Sequence, residues 1–367
     1  MRNRIAATAS VISFLCLCVA ASAQGVRSRL PQLHTYYIAA DEVEWDYTPN
    51  GRNLAGIPEV EGSEDSEGAG HRRYLKAIYR EYTDDTFKTL KRRSPEWEHL
   101  GILGPLIRAE VGDTIKVVFK NNTKIVCTMH PHGLKYAKNS EGAMYNDGTS
   151  GADKKDDAVP PGETYIYLWS VPESAGPDRD DPTSILWMYH SHFVEPRDMN
   201  TGLIGPIIIS RQGSTKPDGT PRDVDREFIL DFAIFDETES LYFEANMMNQ
   251  RKYSPDVRVT DPIFRLRNLL YSINGLIEAN LPMVTMKKGE RVRWYLLSNS
   301  NEDDVHAVHW HGERATLNHM RTDTVNLGPM AMVVADMVPG NVGKWLLHCH
   351  VNEHFQGGMV ALFTVLP

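Results

Sequence analysis

Four His-x-His motifs constrain the fold of this 367-residue chain more than any other feature of its sequence. Alternate residues on a β-strand point to the same face, so each motif presents two imidazoles side by side. Imidazole is a good ligand for copper, zinc and iron, and such pairs therefore predict metal binding. The alternative is a set of separate structural histidines in β-bulges. The motifs lie at residues 130–132, 190–192, 309–311 and 348–350.

The two halves of the chain repeat one another. Residues 104–122 are similar to residues 281–299, and in each half a His-x-His-Gly, a second His-x-His and a Gly-containing apolar run follow in the same order. Short runs rich in Val, Ile, Tyr and Phe, bounded by Gly, Pro, Asn and Asp, are typical of strands. The pattern predicts an all-β protein made of two Greek-key β-sandwich domains. The predicted strands include Thr35–Ala39, Thr114–Phe119, Thr164–Trp169, Ile204–Ile209, Phe228–Ile234, Val292–Leu297 and Met359–Val365.

A polar segment that contains Pro and Gly separates the two repeats. We therefore expect domain 1 over residues 24–211, a linker over 212–225 and domain 2 over 226–367. Helical periodicity is scarce. It predicts one helix over Ser240–Arg251, with Ser240 as N-cap, and a short one near Arg80–Lys88.

The N-terminus has the pattern of a secretory signal peptide. Arg2 and Arg4 precede an apolar run, and Ala21-Ser22-Ala23 offers a cleavage site, so residues 1–23 are expected to be removed. A retained membrane anchor is the alternative. The mature protein would then be secreted or periplasmic, and its formal charge would change from −9 to about −11. An acidic surface argues against nucleic acid as a partner.

Cys349 identifies the metal. It lies between His348 and His350, so its thiolate points to the opposite face of the strand from the two imidazoles. With His306, His354 and the thioether of Met359 it makes the ligand set of a blue-copper site, whereas a zinc site more often uses several cysteines. We interpret this site as the point where electrons enter, one at a time, and pass along a single strand to the histidine pairs.

The chain resembles the multicopper oxidase family, in its ceruloplasmin and hephaestin branch that includes the A domains of coagulation factors V and VIII. The two-domain form is similar to that of small laccases. The resemblance covers nearly all of the chain after residue 23. The stretches that carry it are His34–Tyr47, Lys76–Phe87, Leu103–Gly112, Trp169–Pro177, Tyr189–Pro196 and, most specifically, Trp345–Met359 (WLLHCHVNEHFQGGM).

The resemblance implies cupredoxin-like domains and four coppers for each functional unit. All twelve ligand positions of the family are filled. The resemblance assigns His306, Cys349, His354 and Met359 to the type 1 copper, His130 and His309 to the type 2 copper, and His132, His190, His192, His311, His348 and His350 to the type 3 pair. Domain 1 has Cys127 and Ser191 where domain 2 has His306 and Cys349, so it is expected to lack a type 1 copper.

Other residues are assigned by the same resemblance. Asp147 matches an acid that helps to deliver protons to dioxygen, although an aspartate in a turn is the alternative. Glu353 matches an acid that helps to bind ferrous iron. By their position beside His354 and His306, Glu353, Asp303 and Asp304 would guide a cation or accept the proton of a phenol, with solvated surface acids as the alternative. The family's iron-binding histidine and glutamate fall at Tyr271 and Leu266. The Lys138 carbonyl, Asp153, Asp156 and Asp157 resemble a calcium site, with a solvated acidic loop as the alternative, and Asn121 begins a glycosylation sequon.

These observations predict an enzyme that couples one-electron oxidation of a small reductant to the reduction of dioxygen to water. Laccase-like oxidation of phenols and aromatic amines is our main expectation, and ferroxidase or cuprous oxidase activity is the alternative. A copper nitrite reductase or a non-enzymatic copper-binding domain fits less well, because the ligand set is complete. We expect a homotrimer, in which each cluster lies between domain 1 of one subunit and domain 2 of the next.

Overall fold

The computed structural model describes residues 30–57, 71–249, 262–282, 284–299 and 305–367. The predicted signal peptide, Asp303 and Asp304 lie outside these residues. In the part of the chain described, no helix is both long enough and apolar enough to cross a membrane.

The first half of the chain, residues 30–211, forms two β-sheets around one apolar core. Alternation of the side chains explains the layering. In Thr164–Ser170, Tyr167 and Trp169 are buried, and the residues directly before and after each of them are exposed. The elements are β1 Leu33–Asp46, β2 Arg73–Tyr82, β3 Ile107–Glu110, β4 Thr114–Asn121, β5 His130–Pro131, β6 Lys135–Tyr136, β7 Thr164–Ser170, β8 Ser184–His190, α1 Arg197–Thr201 and β9 Ile204–Ser210. The sheet orders are β2-β1-β4-β7-β6 and β3-β9-β8-β5.

The second half, residues 226–367, has the same architecture. Its sheet orders are β11-β10-β13-β18-β15-β16 and β12-β20-β19-β14-β17. The elements are β10 Arg226–Asp236, α2 Phe243–Asn249, α3 Pro262–Leu266, β11 Leu269–Ile273, β12 Val284–Lys287, β13 Val292–Ser298, β14 His306–Trp310, β15 Ala315–Leu317, β16 Met320–Thr322, β17 Thr324–Leu327, β18 Met332–Met337, β19 Gly343–Cys349, α4 Asn352–Gln356 and β20 Val360–Leu366. The prediction of an all-β fold is confirmed, and every predicted strand overlaps an observed one.

The predicted helix near Arg80–Lys88 is wrong. Arg80, Glu81 and Tyr82 end strand β2, which pairs with β1 along its whole length. That continuous ladder outweighs the local helical pattern. The helix predicted over Ser240–Arg251 begins at Phe243, and the Ser240 side chain accepts a hydrogen bond from the Tyr242 amide in the turn before it. Its predicted end, at residues 250 and 251, lies outside the described residues.

Apolar and charged contacts join the two halves. Leu186, Met188 and Ile208 of the first half pack in one buried cluster with Tyr295 and Leu297 of the second. Ion pairs and hydrogen bonds also cross the boundary, among them Lys76 with Glu237, Arg108 with Glu227, and Arg293 with Ser184. These contacts fix how the two halves are oriented, and therefore where each half presents its histidines.

Candidate copper centres

His306, Cys349 and His354 converge in the core of the second half. The Cys349 Sγ lies 3.9 Å from the His306 Nδ1 and 3.5 Å from the His354 Nδ1, and the two Nδ1 atoms are 3.2 Å apart. All three side chains are buried. We call this group the thiolate site.

Three elements bring the thiolate site together. Strand β14 supplies His306, the end of the adjacent β19 supplies Cys349, and the short α4 returns His354 to the same side. The Ala307 amide donates to the Cys349 Sγ at 3.4 Å. Met359 is fully buried in the same core cluster, and its backbone bonds to both Cys349 and His354. The backbone of Met359 therefore lies next to that of two of the three residues of the thiolate site.

The donor set and spacing fit one copper ion. Ligand atoms at about 2.0 to 2.3 Å from a shared ion are separated by about 3 to 4 Å, which is the spacing seen here. One thiolate, two imidazoles and a weak thioether are the ligands of an electron-transfer copper.

The other eight histidines form two sets, one in each half. The first set is His130, His132, His190 and His192; the second is His309, His311, His348 and His350. Pairing of β5 with β8 puts His130 opposite His190, and pairing of β14 with β19 puts His309 opposite His348. In each set three histidines have ligand atoms within 4.8 Å of one another, and the fourth, His192 or His350, makes ring contacts of 5.2 to 5.5 Å.

Backbone hydrogen bonds fix which nitrogen of these imidazoles is available. The Nδ1 of His130 donates to the Glu141 carbonyl and that of His309 to the Asp323 carbonyl. The Nδ1 of His190 likewise donates to the Ser191 carbonyl. Each bond leaves Nε2 unprotonated, as a metal ligand requires. The Nε2 atoms of His132 and His190 are 3.1 Å apart, and those of His311 and His348 are 3.0 Å apart.

Burial favours the neutral form of several of these histidines. Burial, reinforced by neighbouring imidazoles, lowers the pKa of His132 and His348 to about 4 and that of His306 to about 3. The pKa of His190 is also well below its usual value for the same reasons. Neutral imidazole is the form that binds a transition metal, so these imidazoles need not lose protons to bind copper near neutral pH.

The first His-x-His of each half is followed by a glycine. A tryptophan ring packs against that glycine and leaves no room for a side chain. A Cβ atom on Gly133 would lie 2.2 Å from the Trp187 ring, and one on Gly312 would lie 2.9 Å from the Trp345 ring. Both glycines also have positive φ, 72° and 73°. The repeated motif therefore reflects a packing requirement beside each set.

Within one chain the two histidine sets remain separate. All ring contacts found among these eight described histidines join members of the same set, and no group of metal-ligating atoms within 4.8 Å includes both sets. Several imidazoles are only partly buried, and His350 is exposed. Each set is therefore open to solvent on the side where further ligands could approach.

The first half has no counterpart of the thiolate site among its described residues. Cys127 is fully buried, and burial raises the pKa of its thiol well above the usual range. Ser191 donates to the Asp198 carboxylate at 2.9 Å. No group of metal-ligating side chains in the described chain includes Cys127.

Asp147 lies in a cluster of charges near His130. Its carboxylate is 2.9 Å from the Lys154 Nζ and 3.1 Å from the Lys138 Nζ. Hydrogen bonds from Lys154 and Thr149 hold the pKa of Asp147 well below its usual range. The carboxylate is therefore ionised near neutral pH and binds a proton less readily than an ordinary aspartate. The proton-delivery role stays a prediction.

Three of the four residues assigned to calcium have side-chain partners of another kind. The Asp156 Oδ2 accepts hydrogen bonds from the Glu141 and Gly142 amides, and Asp157 pairs with Lys154. Lys138 turns its ammonium toward Asp147, and Asp153 is exposed. These aspartates belong to none of the groups of three or more donors within 4.8 Å in the described residues. Calcium binding stays a prediction. Asp156 has a visible structural role, because it holds the peptide that orients His130.

Two further residues from the sequence analysis, Glu353 and Asn121, differ in their exposure to solvent. Glu353 is exposed beside His354 and accepts a 3.1 Å hydrogen bond from Tyr271, whose ring lies 5.4 Å from that of His354. Asn121, by contrast, is fully buried, and its Nδ2 donates to the Ile125 and Val159 carbonyls. Attachment of a glycan to Asn121 is incompatible with this fold.

Sequence reasoning missed the partners that orient the ligands. The Glu141 and Asp323 carbonyls are backbone atoms, for which no residue type is a signal. Asp198, a buried carboxylate, lies only seven residues after Ser191, but nothing in its sequence context distinguishes it from a surface acid.

Comparison with known proteins agrees with this geometry. Two sequence models described as "Multicopper oxidase" match residues 100–214 and 242–367. Human hephaestin is 40% identical over 93% of this chain, and human "Ferroxidase HEPHL1" is 39% identical over 90%. The chain spans about 30% of the length of these relatives.

A solved structure shares the fold. "Blue Copper Oxidase from Nitrosomonas europaea" superposes with a TM-score of 0.57 at 18% identity, over 91% of this chain and 86% of that one. The sequence matches show that the chain belongs to the multicopper oxidase family.

Proposed function

We propose that the protein is an oxidase that couples one-electron oxidation of a small reductant to the four-electron reduction of dioxygen to water. The observation that carries this proposal is the position of Cys349, whose thiolate belongs to the thiolate site while its sequence neighbours His348 and His350 belong to the second histidine set. Copper bound at these sites supplies one-electron transfer and dioxygen chemistry.

The residues of β19 connect the two sites. An electron accepted at the thiolate site has a path through the Cys349 side chain and one peptide unit on either side to an imidazole of the second set. The buried surroundings of the thiolate site, with Met359 and Leu347 in the same core cluster, exclude water from the thiolate. The exposed rim near His354 is where a reductant would approach.

Ferrous iron is the reductant that we favour over a phenol. This reverses our main expectation from the sequence. The support is similarity to relatives, one of which carries the name ferroxidase, together with the exposed Glu353 carboxylate beside His354. A carboxylate attracts a cation, whereas a neutral phenol gains little from it. Cuprous ion would be attracted in the same way and remains the second candidate.

Parallel oxygen-uptake assays on iron(II) and a methoxyphenol test the choice of reductant. We expect a higher kcat/KM for iron(II), after subtraction of its uncatalysed oxidation. Glu353→Gln should lower kcat/KM for iron roughly tenfold and leave the value for the phenol unchanged. Glu98→Gln, at another exposed acid, is the matched control. Faster turnover of the phenol would contradict the choice of iron. Absence of blue absorption and oxygen uptake would contradict the oxidase itself.

We further propose a head-to-tail homotrimer. The two histidine sets of one chain are separate, so a cluster with eight imidazole ligands requires the first set of one subunit to face the second set of another. A ring of three copies closes such an interface without leaving a set unpaired. Light scattering of the copper-loaded protein should give three chains, and a stable monomer with full copper would contradict the trimer.

A further inference from the structure

In the first half, the positions equivalent to the thiolate site hold no thiolate, but two of the hydrogen bonds around them are the same as in the second half. The Thr128 amide donates to the Ser191 Oγ at 3.0 Å, just as the Ala307 amide donates to the Cys349 Sγ. The His190 Nδ1 donates to the Ser191 carbonyl at 2.9 Å, and the His348 Nδ1 donates to the Cys349 carbonyl at 2.8 Å. The backbone around Ser191 therefore has the same hydrogen-bond pattern as the backbone around Cys349.

One buried carboxylate organises this region. The Asp198 Oδ2 accepts hydrogen bonds from the Ser191 Oγ at 2.9 Å and from the Phe193 and Val194 amides at 2.8 Å each. Asp198 is fully buried in α1, and its second oxygen has no hydrogen-bond partner among the described residues. Its three partners lie immediately before and after His192. A single side chain thus holds the Ser191 hydroxyl before His192 and two backbone amides after it.

We infer that Asp198 is a positioning residue for the first histidine set, doing in the first half what the type 1 metal does in the second. In the second half, ligation of Cys349 and His354 would tie the end of β19 to α4. In the first half, Asp198 ties the end of β8 to α1 through hydrogen bonds. The inference rests on the proposed function, because it assumes that His190 and His192 bind copper.

A second metal site at this position is a poorer explanation. Cys127 and Ser191 occupy the positions of His306 and Cys349, but the thiol is protonated and the hydroxyl is already donated to Asp198. The Asp198 Oδ2 already accepts three hydrogen bonds, so a cation there would displace donors that hold this region in place. His192 is held from the other side as well, because its amide donates to the Thr128 Oγ1 at 3.0 Å.

Asp198→Ala, compared with Asp198→Asn, tests the inference. Alanine removes the acceptor, whereas asparagine keeps one oxygen at the position of Oδ2 and turns its amide group toward the unpartnered side. We expect Asp198→Ala to keep the blue absorption of the type 1 copper and to lose the near-ultraviolet type 3 shoulder, with cluster copper bound about 10- to 100-fold more weakly. Asp198→Asn should largely restore the shoulder. Asp180→Ala, at an exposed aspartate, is the control.

Copper-free protein provides a second readout. Hydrogen exchange of the segment around Phe193 and Val194 should be faster in Asp198→Ala than in the wild type. Ser191→Ala, which removes only one of the three donors, should weaken the cluster less and serves if Asp198→Ala does not fold. The inference would be overturned if the type 3 shoulder were undiminished in both Asp198→Ala and Ser191→Ala, or if the type 1 and cluster signals were lost in parallel. Failure of Asp198→Asn to restore the shoulder would overturn it as well. A wild type without any cluster signal would instead contradict the proposed function.

Discussion

Cys349 is the residue at which the two metal environments meet. Its Sγ lies within 4 Å of the ligand nitrogens of His306 and His354, while the flanking histidines belong to the other site. A hydroxyl cannot replace a thiolate as a soft ligand for copper.

Cys349→Ser should therefore abolish the blue absorption and oxygen uptake, while the histidine sets still bind copper. Absorption spectra, copper analysis and oxygen consumption measure the three effects. Cys127→Ser is the control, since its buried thiol contacts no ligand group: it should stay blue and lose about 1 kcal/mol of stability. Unchanged turnover in Cys349→Ser would refute the assignment of the electron path.

Asp231 introduces a pH dependence of stability unrelated to the copper sites. Burial raises the pKa of this carboxyl to about 8, and the Asn299 amide donates to it at 3.0 Å. The unfolded chain releases this proton near pH 4 and the folded chain near pH 8. The folded state therefore binds the extra proton between these values, and the free energy of unfolding falls as pH rises through that window.

Asp231→Asn should remove this dependence. The asparagine amide oxygen can still accept a hydrogen bond from Asn299. Asparagine has no proton to release, so a rise in pH no longer favours the unfolded chain through this residue. We expect the free energy of unfolding at pH 8 to rise by about 1 to 3 kcal/mol relative to the wild type, with little change at pH 4. Urea unfolding at both pH values measures the difference. A variant that is equally destabilised at both pH values would contradict the raised pKa.

At the scale of elements, the turn after β11 connects the two halves. Asn274 has a positive φ of 53°, and its side chain accepts from the Asp231 amide and donates to the His99 and Ile229 carbonyls. Its own carbonyl accepts from the Ile102 amide. One side chain thus satisfies buried backbone groups of three residues in two segments, the stretch around His99 and strand β10.

Asn274→Ala should lower the free energy of unfolding by about 2 to 5 kcal/mol, because it leaves buried peptide groups without partners and a β-carbon at positive φ without compensation. Asn318→Ala is the matched control: it has a φ of 49° in the exposed β15–β16 turn, and should cost about 1 kcal/mol. Denaturant titration compares the two. Equal losses would show that the Asn274 side chain adds nothing beyond its turn.

At the scale of the whole molecule, a buried ion pair lies between the halves. The Lys76 Nζ is 2.5 Å from the Glu237 Oε1 and also donates to the Asn200 carbonyl, and both side chains are fully buried. Burial lowers the pKa of Lys76 and raises that of Glu237, and each charge opposes the shift of the other. Such a pair specifies how the halves dock, but removal of one partner leaves an uncompensated charge.

Lys76→Met should therefore cost about 3 to 5 kcal/mol, and adding Glu237→Gln should recover most of that loss. A double-mutant cycle from urea unfolding measures the coupling. Lys91→Met breaks the exposed pair with Glu81 and should cost less than about 1 kcal/mol. If the losses from the two changes were simply additive, the ion pair would have no role in joining the halves.

The order of strands along the chain and the identity of the ligands could be predicted from local patterns. Alternation of residue types with a period of two indicates a β-strand, and the same spacing puts two imidazoles on one face. The pair His190 and His192 could therefore be predicted together with the strand that leads to it. The predicted helix near Arg80 failed because its local pattern competes with a ladder to β1, more than thirty residues away. Helical periodicity carries no information about such a partner.

Short-range chemistry, carried by residue types and their spacing, therefore determined the all-β class and the twelve candidate ligands. Only the tertiary structure decided which nitrogen each imidazole presents, which acids are buried, and that the two histidine sets of one chain stay apart. The physical reason is that these properties depend on burial and on backbone groups contributed by distant segments. Glu141 orients His130 through its backbone carbonyl. Asp198, in helix α1, accepts a hydrogen bond from the amide that follows His192.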